Sequence, residues 1–585
     1  MQKSIFTCFI ILIASIHIFA QSWQDKIDTR LNSFNGTTNQ FEFLVQFVHH
    51  VDISQSKLLT DKTAKGTLVM KQLHANVKKT QASIIDVLEI KKVPFQDFWI
   101  ANVIWVYGDF ELVKQIAQYP EVKIISENSR MKILEPIEQE EINENFNKNV
   151  EIPWGILQMN AHKVWEKGYT GQGVVVGGQD TGYEWEHESL KAKYRGWTEK
   201  NTNHNYNWHD AIRAFNPNHS VEENPCGLDV DYPCDDHNHG THTMGTILGG
   251  TESLQIGVAP DATWIGCRNM ERGWGTPQTY LECFQWFLAP TDLNNENPDP
   301  SKAPHVINNS WACPEDEGCN PNNFDILETA VNNLKAAGIV VVVSAGNSGA
   351  DCETINTPAA VFENSFTVGA ISENEVIANF SSRGLVSIDG SNRMKPNVVA
   401  PGVNVKSAIR GEDLYANFSG TSMAAPHVVG LVALLISADP TLAGDVERIE
   451  TIIEQTALDR ITTQLCDGAD GKSIPNFVYG YGTIDALAAV DTLLAKTPIS
   501  AKERFRVYPN PTNNMVTFQH IGYEGKLQIQ IFAADGRQVV NQIADYSGGN
   551  KLRTIDLSNY ANGVYYYRLC NESGESCFEG RILKK

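Results

Sequence analysis

Apolar residues along this chain change their period several times. Within residues 41–128 the run FEFLVQFVHHVDI is strand-like, residues 71–87 carry a helical spacing, and FWIANVIWVYG is strand-like again. A short helix over 111–118 and an apolar run over 122–126 follow, so this part predicts a small α+β unit with no cysteine. The segment ILEPIEQEEINENFNKNVEIP then loses its period, is rich in Asn and Glu, and predicts an exposed linker. From Trp154 to about residue 495, β-rich apolar runs at 174–178, 339–344 and 365–370 alternate with helical stretches, which predicts a parallel α/β sheet. After KTPISAKE, short strands set off by PNPTNN, AADGR, SGGN and NGV predict a small all-β unit.

The stretch NFSGTSMAAPHVVGLVALLISADP departs from amphipathic spacing. Residues 424–438 have almost no polar face, and a helix that is apolar all round is buried. Gly420 allows close backbone approach where the loop enters, and Pro426 falls early enough in the predicted helix to need no amide partner. Ser422 sits at that junction. Alone it reads as a helix cap; as a nucleophile held by a rigid element it requires a base.

The run DDHNHGTHTMGT brings His237, His239 and His242 close together. Their H-x-H spacing suits a metal, whereas His239 at the start of a small-residue helix suits a general base. Upstream, VVVGGQDTGYEWEHESL ends an apolar strand at Asp180, where open α/β sheets place their sites. Alone, that Asp would be a cap or turn residue. Together the three segments run Asp…His…Ser, one of the chain orders known for the serine triad.

The segments VVVGGQDTG, DDHNHGTHTMGT, VVVVSAGNSG and NFSGTSMAAPHVVG resemble, in order, the four signature segments of subtilisin-like serine peptidases, over roughly residues 150–490. The resemblance implies a parallel sheet flanked by helices, with Asp180 orienting His239, His239 acting as base and then acid, and Ser422 as acyl-forming nucleophile. Asn347 would donate its side-chain amide to the oxyanion beside the Ser422 amide. Ser310, Trp311 and Ala312 in VINNSWACP, with Gly346, would line the substrate strand and specificity pocket, which Ala312 narrows where the family commonly has Gly. A packed core aromatic is the other reading of Trp311. Gln179 stands where the family more often has an apolar residue. No organic cofactor is implied. Structural Ca2+ is frequent in the family, but no D-x-D-x-D-G loop appears, Asp229 and Asp231 read equally as solvated loop charges, and no metal ligand is assigned.

Composition then sets bounds. The chain has 585 residues, enough for roughly three or four domains, with 42% hydrophobic and 20% charged residues, as in globular proteins. A net charge of −22 argues against nucleic acid or anionic membranes as partners. MQKSIFTCFIILIASIHIFAQS reads as a signal peptide ending near Ala20, and no other stretch reads as a membrane span. Of the 11 cysteines, Cys8 leaves with that signal, and Cys226/Cys234, Cys313/Cys319 and Cys570/Cys577 are expected local disulfides. Pairing among Cys267, Cys283, Cys352 and Cys466 stays open.

The flanks extend the resemblance. Residues 41–128 resemble a subtilisin-type propeptide, a ferredoxin-like chaperone and inhibitor; a permanent N-terminal domain is the alternative. FRVYPNPTNNMVTF, IFAADGRQV and IDLSNYANGVYYYRL resemble the sorting domains of type IX secretion cargo, with a carbohydrate-binding or adhesive β-sandwich as the rival. The expected order is signal 1–20, propeptide 21–130, linker 131–150, peptidase 151–495, linker 496–503 and sorting domain 504–585. The expected protein is a secreted serine endopeptidase made as an autoprocessed zymogen. Its expected partners are protein substrates, its own propeptide and the secretion machinery. A catalytically silent binding protein and a metal-dependent hydrolase are the competing classes.

Overall fold

The computed structural model describes residues 22–48, 51–133, 136–139, 150–217, 224–311, 321–466, 471–495, 504–508, 512, 514–521, 526–545, 552–571 and 577–585. The expected signal segment, much of the 131–150 linker, Ala312 and the Cys313/Cys319 pair lie outside the described residues.

The N-terminal unit comprises β1 (Phe41–Phe47), α1 (Lys62–Thr80), α2 (Ala82–Lys91), β2 (Phe95–Phe98), β3 (Val103–Gly108), α3 (Phe110–Ala117) and β4 (Val122–Glu127). Its antiparallel sheet has the order β2-β3-β1-β4, a ferredoxin-like arrangement. Asp61 and Asp109 cap α1 and α3 by accepting the Ala64 and Leu112 amides. The helix expected over 71–87 is two helices that break at Gln81, whose buried amide bonds Asn102. FWIANVIWVYG is likewise two strands, turned at Asn102, which takes φ +54°.

Side chains of β1 serve two cores. Phe43, Val45 and Phe47 join Ile84, Leu88, Val113 and Ile116. Leu44 points the other way, into a cluster that holds Leu73 of α1 together with Phe284, Trp286, Leu327 and Val331 of the central unit. The N-terminal unit is therefore docked through apolar surface, not merely tethered.

The central unit begins with two short strands, β5 (Met131–Lys132) and β6 (Ile137–Gln139), in the stretch expected to be linker. Then come α4 (Trp154–Gln158), α5 (Ala161–Trp165), β7 (Val175–Asp180), the ribbon β8 (Trp197–Thr198) and β9 (Asn201–Thr202), β10 (Trp208–Asp210), α6 (His239–Leu248), β11 (Thr263–Arg268), β12 (Trp274–Gly275) and α7 (Pro277–Leu288). The rest is β13 (Val306–Asn309), α8 (Pro321–Ala336), β14 (Val340–Ser344), β15 (Phe366–Ile371), β16 (Val398–Pro401), β17 (Val405–Ala408), β18 (Tyr415–Ser419), α9 (Thr421–Ala438), α10 (Val446–Thr456) and α11 (Ala486–Leu494).

Seven parallel strands form the main sheet in the order β10-β11-β7-β13-β14-β15-β16. Both faces are covered, so strands such as VVVVS in β14 are apolar without alternation and wholly buried. Helix α9 is apolar and long enough to cross a membrane, yet 89% of it is buried, so it is the core helix of this layer.

The C-terminal unit has strands β19 (Arg504–Tyr508), β20 (Met515–Ile521), β21 (Lys526–Ala533), β22 (Gln538–Asp545), β23 (Leu552–Asp556), β24 (Gly563–Asn571) and β25 (Cys577–Lys584). Two antiparallel sheets, β19-β20-β23 and β22-β21-β24-β25, share one core that includes Phe518, Ile529, Leu569 and Ile582, which makes a small sandwich.

Candidate active site

The residues singled out from sequence collect at the carboxyl ends of the parallel strands. Asp180 ends β7, Ser310 follows β13, Asn347 follows β14, and His239 and Ser422 lie in the first turns of α6 and α9. This edge is where an open α/β sheet leaves side chains free to converge.

His239 Nδ1 lies 2.7 Å from Asp180 Oδ1, and both side chains are wholly buried. Asp180 also accepts the Thr181 amide at 2.8 Å and the Thr243 hydroxyl at 3.4 Å, which fix its rotation. An ionised acceptor at Nδ1 makes that nitrogen the donor and leaves the lone pair on Nε2. Among the described residues Nε2 has no hydrogen-bond partner, although it is buried.

Sequence reading did not assign the residues that hold this pair together. Asp235 accepts the Thr181 hydroxyl at 2.8 Å, the His237 amide at 2.9 Å, and the Thr241 amide and hydroxyl at 3.0 and 2.6 Å. Thr181 Oγ1 in turn accepts the Gly240 amide at 3.0 Å. A Cβ on Gly240 would fall 2.0 Å from the Gly182 carbonyl oxygen, so only glycine lets α6 approach β7 this closely. The signal for this cradle was the Asp-Asp pair opening DDHNHGTH.

His239 and His242 are engaged by different partners, His239 by Asp180 and His242 by backbone carbonyls. His242 Nε2 lies 3.0 Å from the Val405 carbonyl, and its ring stacks on Phe418. Burial first, and the neighbouring His239 second, push its pKa down to about 3, so it stays neutral. Among the described residues, no three His, Cys, Asp or Glu side chains gather as a ligand set. Asp229 and Asp231 belong to no such group.

Ser422 is 2% exposed. Its Oγ donates to the Ser310 carbonyl at 3.3 Å, while Ser310 Oγ donates to the Ser422 carbonyl at 3.1 Å. The second bond has a cause in the sequence. Helix α9 starts at Thr421, so Pro426 lies beyond the first turn, and its missing N–H leaves the Ser422 carbonyl without its helical donor. The expectation that Pro426 needs no amide partner is therefore corrected: Ser310 supplies the partner. α6 packs on α9, but the Ser422 hydroxyl is turned to Ser310 and not hydrogen-bonded to His239 Nε2.

Asn347 is oriented by Thr421. Its Oδ1 accepts the Thr421 amide at 2.9 Å and the Thr421 hydroxyl at 2.8 Å, so the donor end, Nδ2, is turned away from that pair. Thr421 Oγ1 also accepts the Gly346 amide at 3.2 Å. Gly346 takes φ +103°, and a Cβ there would meet Ser382 Oγ at 2.9 Å. Trp311 is 1% exposed and packs against Tyr280 with ring centres 3.9 Å apart, as a packed core aromatic does.

Gln179 also finds an explanation. Its amide nitrogen donates to Asn309 Oδ1, and its carbonyl accepts Asn269 Nδ2 at 3.1 Å. A polar residue thus sits inside the sheet because two other polar residues satisfy it.

Among the described residues of the central unit three disulfides are formed: Cys226–Cys234, Cys267–Cys283 and Cys352–Cys466. The first is an expected pair, and the other two resolve the open pairing. Cys352–Cys466 ties the loop after Asn347 to a segment 114 residues away. In the C-terminal unit Cys570 is disulfide-bonded and faces Cys577 across the β24–β25 ladder.

The chain itself crosses this edge. Lys132 and Met131 pair antiparallel with Trp274 and Gly275, and the Ile133 amide donates to Gly273 O at 2.6 Å. Ile137, Glu138 and Gln139 pair with Ser419, Phe418 and Asn417, immediately before the loop that carries Ser422. Unpaired edges of β12 and β18 explain why a segment with no period of its own becomes strand here.

Residues 171–482, more than half of the chain, match the Subtilase family. The chain belongs to that family. It is thus a serine peptidase of subtilase type. Bacillopeptidase F of Bacillus subtilis is 30% identical over 563 residues, covering 90% of this chain and 37% of its own length. Subtilisin E of the same species is 29% identical over 388 residues, covering 66% of this chain and 82% of its own length. The epidermin leader peptide processing serine protease of Staphylococcus aureus shares the fold, with a TM-score of 0.55 at 16% identity, covering 79% of this chain and 100% of that one. Residues 506–582 match a secretion system C-terminal sorting domain, which indicates type IX secretion to the cell surface or extracellular space.

Proposed function

We propose that this subtilase is a secreted serine endopeptidase, made as a zymogen that processes itself, with Asp180, His239 and Ser422 as its triad. The observation that carries this reading is the wholly buried Asp180–His239 pair, whose free Nε2 belongs to a helix packed on the one that carries Ser422. During attack on a peptide carbonyl, the Ser422 hydroxyl turns from Ser310 and passes its proton to Nε2 as the Oγ–carbon bond forms. Asp180 holds the imidazolium in place without being protonated itself. Negative charge on the carbonyl oxygen is met by Asn347 Nδ2 and by the Ser422 amide, which lies in the first turn of α9 and has no helical acceptor. Collapse of that intermediate expels the amine, which takes the proton from Nε2, and water then hydrolyses the acyl-enzyme by the reverse sequence. Ser310, Trp311, Ala312 and Gly346 are assigned to the substrate side, Trp311 as the rigid backing of that wall. No step requires a metal or an organic cofactor.

Self-processing is supported by the strands on either side of the nucleophile. The segment ending at Ile133 and the segment starting at Ile137 are each paired to an edge of the peptidase unit, and these pairings support a cut in the chain between Ile133 and Ile137. The released N-terminal unit would remain docked and inhibit, since its apolar cluster is shared with α7 and α8. Ser422→Ala tests the whole reading. The variant should fold, keep residues 22–139 attached, and neither hydrolyse peptides nor form an acyl-enzyme. Near-wild-type turnover would refute the nucleophile, and complete processing of the isolated variant would refute self-cleavage.

A further inference from the structure

The short edge strand β12 is built to choose what lies beside it. Glu271 and Trp274 exchange backbone hydrogen bonds of 2.7 and 2.9 Å, with Arg272 at φ +50° and Gly273 at φ +79° between them. That is a two-residue hairpin turn of the mirror-image type, which needs positive φ at both central positions and gives the edge a fixed shape. Lys132 Nζ stands 5.9 Å from the centre of the Trp274 ring, within cation–π range. The next residue, Ile133, is 2% exposed, and a Cβ on Gly273 would lie 2.7 Å from its Cγ2. The missing side chain at Gly273 is therefore the seat that admits a branched aliphatic residue.

Charged neighbours on the turn are engaged in its own architecture. Arg272 donates its amide and guanidinium to Asp236 at 3.0 and 2.6 Å. The buried Glu271 carboxylate accepts the Asn216 amide at 2.5 Å and Asn224 Nδ2 at 2.8 Å. Trp274 in turn presents its indole face within reach of the Lys132 ammonium.

When residues 131–133 leave, an extended peptide making the same backbone ladder places one side chain over Trp274 and the next in the Gly273 seat. We propose that Trp274 and Gly273 make this enzyme select protein substrates with Lys or Arg followed directly by Ile or Val, just before the cleaved bond. The proposal rests on the peptidase reading above. It goes further by naming the substrate class and the residues that choose it.

The test uses the processed wild-type enzyme, Trp274→Ala and Trp274→Tyr, each incubated with a denatured proteome and with two synthetic peptides that differ only as Lys-Ile or Gln-Ile. Cleavage sites of the wild type should be enriched in Lys or Arg followed by Ile or Val within the four positions before the cut. The Lys-Ile over Gln-Ile ratio of kcat/KM should fall about 2- to 5-fold in Trp274→Ala and be kept in Trp274→Tyr. That ratio is taken within one enzyme, so partial misfolding does not alter it. Cleavage by the wild type without the enrichment, or an unchanged ratio in Trp274→Ala, overturns the selectivity and leaves the peptidase reading standing. No cleavage at all by the wild type overturns both.

Discussion

Thr421→Val should lower kcat through Asn347, and the size of the effect can be worked out. The hydroxyl of Thr421 donates to Asn347 Oδ1 at 2.8 Å, while the Thr421 amide makes a second bond to the same oxygen at 2.9 Å. Valine keeps the shape and the amide bond to Asn347 Oδ1 and loses the hydroxyl bond to it. One neutral hydrogen bond is worth about 0.5–1.5 kcal/mol, so the correctly turned amide should lose about 2- to 13-fold in population and kcat should fall by that factor. Removing the donor outright in Asn347→Ala should cost about 100- to 1000-fold in kcat with KM little changed. Valine also strips the Gly346 amide of its acceptor, which should lower stability by about 1–3 kcal/mol. Steady-state kinetics on a peptide anilide for the wild type, both single variants and the double variant decide the matter. If Thr421 acts by orienting Asn347, its effect on kcat disappears in the Asn347→Ala background. Full additivity in the double variant, or a change confined to KM, would refute the reasoning.

Docking of the N-terminal unit should depend on pH through Lys62, whose ammonium is buried against the Ala303 carbonyl at 3.0 Å. Burial first, then repulsion by Arg195, lowers its pKa to about 7, with Asp61 opposing. The docked state therefore binds fewer protons than the released one between about pH 7 and 10.5, so docking weakens as pH falls through that window and levels off below it. Dissociation rates of the cleaved complex across this range should show that trend in the wild type and lose it in Lys62→Met. Gln179→Leu should lower the thermal midpoint of a Ser422→Ala background, by the equivalent of about 1–3 kcal/mol, because Asn309 Oδ1 loses its donor. An unchanged midpoint there would show that the polar trio in the sheet is dispensable.

Much of this protein is local enough to be written in one dimension. The run of valines in β14, the helix apolar on every side and the Asp…His…Ser order needed no coordinates, because burial on both faces and the chemistry of a triad each leave a mark on a short window. Asp180, His239 and Ser422 could be named because each occupies the junction of a strand or loop with a core element. Other features depend on pairs far apart in the chain. Gln179 looked anomalous until Asn309 and Asn269 stood beside it, and the Cys352–Cys466 bond joins residues that no spacing rule connects. The role of Pro426 changed once its helix was seen to start at Thr421, leaving the Ser422 carbonyl to Ser310. The segment after residue 130 shows the limit most clearly. Its sequence has no strand period, and it pairs where β12 and β18 present open backbone edges beside the nucleophile. Hydrophobic pattern fixes which residues are buried and which chemistry they carry. Backbone hydrogen bonds between distant edges decide what lies across the site, and they are indifferent to the side chains from which a sequence is read.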